Sequence, residues 1–162
     1  DAQTAASDLK GSVLSVPFGV AVLGIQNVNG NIHGDIWTDC SARLGTQEIL
    51  INVTDATGHS SIAKFILTIT ENASPTVGNY SSVVLPKGSS VVARPDASPS
   101  DDFFVSDVKV VAPGFDGQVS VEAGTGAVSL HNAQTPGVYN VAVVVTDNCG
   151  RQGAKFFSVR VE

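Results

Sequence analysis

Residues 45–69 read GTQEILINVTDATGHSSIAKFILTI, and residues 137–161 read GVYNVAVVVTDNCGRQGAKFFSVRV. Laid over one another without a gap, Gly45 falls on Gly137, Val53 on Val145, Thr54-Asp55 on Thr146-Asp147, Gly58 on Gly150 and Phe65 on Phe157, a constant offset of 92 residues. Solenoid and propeller repeats recur every ~20–50 residues, so a period this long is a whole small domain. The chain of 162 residues is read as two copies of one module.

Each copy reads as strand, tight turn, strand. Val141, Val143 and Val145 share one parity and Asn140, Ala142 and Thr146 the other, the two-residue period of a sheet with one buried face. Phe157, Val159 and Val161 then alternate with Ser158, Arg160 and Glu162. The first copy follows with Ile49, Ile51 and Val53, then Phe65, Leu67 and Ile69. The connections Asp55-Ala-Thr-Gly58 and Asp147-Asn-Cys-Gly150 carry residues that tolerate positive φ or bond their own backbone, so both are hairpins. Val, Ile, Thr and Ser are abundant, Met is absent, and no apolar 3.6-residue stripe marks a helix. The alternation breaks at Thr70-Glu-Asn-Ala-Ser-Pro75, which divides the chain into domains 1–72 and 73–162. Each is near the size at which a sandwich core sustains itself.

The run Pro136-Gly-Val-Tyr139-Asn-Val141-Ala-Val143-Val-Val145-Thr-Asp147-Asn-Cys-Gly150, with the strand carrying Phe157, Val159 and Val161, resembles the last two strands of immunoglobulin-like modules. It is most similar to the PKD, HYR and cadherin-like domains that stand in tandem on microbial surface proteins. The resemblance covers the last third of each module. It implies an all-β chain of two tandem immunoglobulin-like β-sandwich domains, of a kind that spaces, displays or adheres rather than catalyses. Tyr139, at the start of the penultimate strand, is placed to bond the preceding loop as a tyrosine corner. Trp37, the sole Trp, is expected in the core by analogy with the buried Trp of such sandwiches; exposed in a groove, it would point to carbohydrate instead.

The two halves differ at their beginnings. In the second, Tyr80–Arg94 (YSSVVLPKGSSVVAR) precedes a strand at Phe104–Val111 and is read as a first edge strand, its Pro86 tolerable at an edge. Shifted back by the period, that strand falls before the sequence starts. The first domain therefore either begins one strand short or builds that strand from Asp1–Leu14. A sandwich lacking a strand exposes apolar core and unpaired backbone, which a strand donated by a neighbouring subunit covers; a trimmed boundary is the plainer account.

In an immunoglobulin-like sandwich Cys40, just before the penultimate strand, lies at the end where the final strand leaves, and Cys149 lies in the last hairpin turn of the second domain. The resemblance thus implies a Cys40–Cys149 bridge at the junction, in an oxidising compartment. Two free thiols and a bridge between chains remain the alternatives. Three sequons, at Asn52, Asn72 and Asn79, are candidates for glycosylation in a secreted chain.

The net charge of −6, with Lys and Arg scattered singly, leaves no clustered cations for nucleic acid. No run approaches the ~18 apolar residues of a membrane span; the longest, Val13–Ile25, is broken by Ser15, Pro17, Gly19 and Gly24. His33, Asp35, Asp39 and Cys40 match no zinc spacing, His59 and His131 have no nucleophile beside them, and Gly124-Thr-Gly126 reads as a hairpin turn. Asp96, Asp101, Asp102 and Asp107 read as an acidic loop. Calcium is the ligand the cadherin-like resemblance implies, through Glu71, Asn72, Asp147 and Asn148, yet the family's acidic linker is missing, so no cofactor is expected beyond that one candidate. The expectation is a non-enzymatic extracellular structural or adhesive segment of a cell-surface protein or filament, whose partners are other copies of itself or neighbouring surface domains. The alternative is a carbohydrate- or calcium-binding module of a secreted multidomain protein.

Overall fold

The computed structural model describes residues 5–162, and the chain divides into two compact units, Asp1–Glu71 and Asn72–Glu162. The boundary lies one residue before the expected one. Both units are built of strands; one 3-10 turn at Ala6–Asp8 is the exception among the described residues.

The first unit holds β1 (Lys10–Ser15), β2 (Val20–Val28), β3 (Asn31–Thr38), β4 (Gly45–Thr54) and β5 (Ser60–Ile69). The second holds β6 (Val83–Leu85), β7 (Ser90–Ala93), β8 (Val105–Val111), β9 (Gln118–Val121), β10 (Val128–His131), β11 (Gly137–Asp147) and β12 (Gln152–Val161). The repeated hairpins are β4–β5 and β11–β12, antiparallel along their whole lengths, with Gly45 opposite Ile69 and Gly137 opposite Val161.

The second unit is a complete immunoglobulin-like sandwich. One sheet runs β6-β12-β11-β8, with β6 parallel to β12, and the other runs β7-β10-β9. The inward parity read from the sequence holds. Val141, Val143, Val145 and Val159 are fully buried and meet Val128 and Leu130 of the facing sheet. The Tyr139 hydroxyl donates to the Thr135 carbonyl at 2.8 Å, closing a tyrosine corner, and its ring packs edge-on to Phe115. Residues 80–94 do not form the single edge strand expected of them. Pro86 to Ser89 turn the chain, with the Ser89 amide donating to the Pro86 carbonyl, so β6 joins one sheet and β7 the other. Pro lacks the N–H that an uninterrupted strand needs, and the turn places it outside the ladder.

The first unit is the same sandwich without its opening strands. Its sheets are β1-β4-β5 and β2-β3. Here β1 pairs antiparallel with β4 as β8 pairs with β11, so Lys10–Ser15 is the counterpart of β8 and not a first edge strand. The expected deficit of one strand is a deficit of two among the described residues. Among the described residues nothing lies on the edge of β5 where β12 receives β6, nor on the edge of β3 where β10 receives β7. The core shrinks accordingly to Val20, Ile49 and Ile51.

The repeat supplies its own control. Phe157 is 6% exposed and Phe65, its equivalent, is 51% exposed. Deleting a buried Phe ring costs about 3–5 kcal/mol, whereas half-exposed positions cost far less. Phe157→Ala is expected to destabilise the second unit by about 3 kcal/mol and Phe65→Ala the first by less than about 1 kcal/mol. Denaturant unfolding followed by site-resolved hydrogen exchange measures both.

Candidate functional site

The candidate site is the open side of the first unit. Without a strand beside β5 and another beside β3, the gap between the two sheets is left as a mainly apolar groove of about 200 Å³, lined by Val22, Ile25, Ile32, Ile36, Ile51 and Phe65, with His33 and Gly34 completing it. That is below the ~300–1,000 Å³ of pockets for drug-sized ligands, and in the range of apolar cavities that take a benzene ring. A broader, more polar recess of about 730 Å³, bordered by Asp55, Lys10 and Gln26, adjoins it through the shared Ile25. On the outward side of the same edge strand, Ile62 and Ile66 are exposed too. The outer edge of this ten-residue, largely apolar strand, which carries one charged side chain, Lys64, is a template for another strand.

The second unit shows how the equivalent surface is covered. Tyr80 stacks on Phe157 with ring centroids 4.8 Å apart and 17° between planes, and its hydroxyl donates to the Gly126 carbonyl at 2.6 Å. Burial of that phenol in the core raises its pKa. Farther along, Val83, Val84 and Leu85 lie beside Val159, Arg160 and Val161, and Leu85 is fully buried. The chain also passes so close to Gly153 that a Cβ there would stand 1.9 Å from the Pro75 carbonyl oxygen. Glycine is required at that crossing.

At the hairpin turns the repeated Asp has one job in both units. The Asp147 Oδ1 accepts from the amides of Cys149 and Arg151, each at 2.8 Å, while Asp55 Oδ1 accepts from the amides of Thr57 and His59 at 2.8 and 2.9 Å. Gly58 and Gly150 close the turns at positive φ, the conformation the sequence pattern anticipates. The second oxygens differ. Asp147 Oδ2 accepts from the Asn72 side-chain amide at 2.7 Å, but Asp55 Oδ2 is buried with no hydrogen-bond partner, its side chain only 5% exposed. His59 lies 3.5 Å from it, an ion pair when the imidazole is charged.

The other sequence candidates fall as follows. Asn72 is half-buried, and its amide nitrogen, the atom a glycan would occupy, is bonded to Asp147; Arg151 also donates to the Asn72 carbonyl at 2.7 Å. Asn79 is exposed and held by Asp96 and Lys155. Asn52 is half-buried and donates to Thr54. For calcium, Asp147 already accepts three hydrogen bonds and Asn72 presents a donor to it, while no group of three or more His, Cys, Asp or Glu gathers among the described residues. Asp39 caps the amide of Ser41 rather than joining His33 and Asp35. The expectation of a core Trp37 is overturned. It is 56% exposed on β3 and does not line the groove, because the neighbouring Ile36 takes the inward parity. Both Cys40 and Cys149 are disulfide-bonded.

No family model matches the sequence, and no curated protein matches it. Among solved structures the chain is similar to a chimeric titin Z1Z2 tandem, at 15% identity and TM-score 0.46, over 95% of this chain and 83% of that one. It is also similar to the Ig1-2 module of the Drosophila receptor tyrosine phosphatase DLAR, at 13% identity and TM-score 0.43, over 96% of this chain and 83% of that one. Drosophila N-cadherin EC1-4 matches at 15% identity and TM-score 0.43, over 95% of this chain and 41% of that one. At these values the likenesses add nothing to the strand topology, and the narrower PKD and HYR resemblance rests on the repeated hairpin alone.

The Asp55 turn has a pH signature. Its carboxyl is held below the usual carboxylate range chiefly by the Thr57 hydroxyl, helped by the amides of His59 and Thr57 and by the His59 charge, against the opposing effect of desolvation. A lowered folded-state pKa contributes stability at pH values above the unfolded-state pKa, and that stability is lost as pH falls through the folded one. The first unit is expected to lose thermal stability as pH falls below about 4 and the Asp55 carboxylate takes up its proton. Asp55→Asn should flatten that acid limb, leaving the part that comes from Asp39, which Ser41 lowers in the same sense. Calorimetry from pH 2 to 7 on both proteins checks it.

Proposed function

We propose that this chain is a non-enzymatic, extracellular structural and adhesive segment of a surface protein or filament, and that its first unit is completed by a strand from a neighbouring subunit. The observation that carries the reading is the contrast between Phe157, roofed by Tyr80, and Phe65, its unroofed equivalent. The second unit is a finished spacer. The first is a socket, with free edges on β3 and β5 and a ring-sized apolar gap between its sheets.

A Cys40–Cys149 bridge belongs to the proposal. The chain has two cysteines and both are disulfide-bonded. Cys40 precedes β4, whose first residue pairs with the last of β5, so it sits at the end where the chain leaves the first unit. Cys149 sits in the β11–β12 turn, where Asn72 enters the second. Closing a loop of this length contributes on the order of 4–5 kcal/mol in the chain-entropy model, and an oxidising compartment follows. Of the three sequons, Asn79 is the one we assign to a glycan, because it alone of the three is exposed, and its amide's bond to Asp96, at 3.3 Å, is longer than the 2.7 Å bond of Asn72 to Asp147. No helix among the described residues is long and apolar enough to cross a membrane.

Electron microscopy and mass determination of native, non-reduced material test this reading. Ordered filaments or a ladder of subunits are expected, with a Cys40–Cys149 peptide in non-reducing digests and glycan mass on Asn79. A monodisperse monomer sinks the assembly.

A second reading, a carbohydrate-binding module, has the exposure of Trp37 in its favour, although the ring stands outside the groove. As the chain's single Trp it reports directly: a sugar stacked on the ring shifts its fluorescence, whereas the structural reading expects no change on titration with oligosaccharides.

A further inference from the structure

We infer that the donated strand is an extended segment of a second molecule that repeats, in order along its length, the chemistry of residues 72–85: an amide donor, an aromatic ring, then a branched aliphatic side chain. The inference rests on the assembly proposed above and specifies what the socket accepts.

Three unsatisfied features of the first unit are each satisfied in the second by that one segment. Asp55 Oδ2 is buried without a partner, and its equivalent on Asp147 takes the Asn72 amide. Phe65 is exposed, and its equivalent Phe157 takes the Tyr80 ring. Along Leu67, Thr68 and Ile69 the edge is unpaired, and the equivalent Val159, Arg160 and Val161 take Val83, Val84 and Leu85 in parallel. An orphaned buried acceptor, an uncovered ring and a free ladder edge in the same order on one face describe a single extended ligand. A small molecule would satisfy one of them.

The described residues that precede β1, from Ala5 to Leu9, do not supply that segment. Asn27 donates to the carbonyls of Ala6 and Leu9 at 2.7 and 2.9 Å, and Ala6 packs over Gly30, which fastens this stretch to the β2–β3 hairpin. The edges of β3 and β5 stay open among the described residues.

Differences between the units refine the donor. The position of Gly153 is occupied in the first unit by Ser61, so the donor cannot hug β5 there as Pro75 hugs β12 and must stand off at the level between the amide donor and the ring. Ser158, which bonds Ser82, is replaced by the exposed Ile66. The donor residue at the Ser82 position should therefore be apolar.

The test uses the intact, oxidised chain and a synthetic peptide of residues 72–85, NASPTVGNYSSVVL, as probe. Expected are saturable binding of one peptide per chain, slowed amide exchange across β5, and tighter binding of the peptide carrying Ser82→Val. Peptide with Tyr80→Ser, or protein with Phe65→Ser, should bind at least about tenfold more weakly, the usual scale for a lost aromatic anchor. Protein with Phe156→Ser, altered on the exposed face of β12, should bind unchanged. Absence of binding, or binding indifferent to Phe65→Ser, overturns the inferred donor chemistry. Filaments whose growth excess peptide blocks support donation between molecules. Peptide binding by a protein that is monomeric in its native material overturns the assembly and the second-molecule source, and filaments that peptide neither binds nor blocks overturn the donor while leaving the assembly.

Discussion

A two-layer β sandwich works only if each sheet's apolar face meets another and each inner strand has a ladder partner on both sides. In the second unit the β11–β12 hairpin is the centre of that arrangement. Its valines at 141, 143, 145 and 159 are removed from water by β7, β9 and β10 above them, and its outer ladder positions by β6 and β8. Most of the unit's burial follows from satisfying this one hairpin, at roughly 1.5–3 kcal/mol for each large apolar side chain fully covered.

The first unit obeys the same demand with fewer means. Its hairpin carries the same alternation and the same turn, and β1 covers the same flank that β8 covers. What is missing is the stretch that in the second unit runs from Asn72 to Ala93. Because that stretch contributes to both sheets, its absence opens two edges and the space between them at once. The groove is therefore no independent invention of the first unit; it is the negative image of a segment visible elsewhere in the same polypeptide. This is why the groove's chemistry can be read residue by residue rather than guessed from its volume.

The hairpin turns show how a local device is reused for a longer-range task. In both units an Asp caps two amides of its own turn with one oxygen, which any Asx-type turn does. Only in the second unit does the other oxygen meet a partner, the Asn72 amide on the segment that enters that unit. A carboxylate oxygen removed from water without a donor is unfavourable, so the Asp55 turn carries a local penalty that the Asp147 turn does not. His59, at the surface beside it, offsets part of that penalty when charged.

The sequence by itself determined the two repeated hairpins, their turns, the inward parity of Val141 to Val145 and the tyrosine corner, because each depends on two-residue periodicity or on residues a few positions apart. Tertiary structure alone decided what pairs with what. Periodicity assigns Ile36 and Trp37 to opposite faces of β3 but cannot say which face is inner when the facing layer is incomplete, and so Trp37 lies outward. Nor could it say that Tyr80–Arg94 serves two sheets, that β1 stands where β8 does, or that Asp55 keeps an orphaned oxygen. Those outcomes are set by contacts between residues scores of positions apart, whose physical partners a linear pattern does not name.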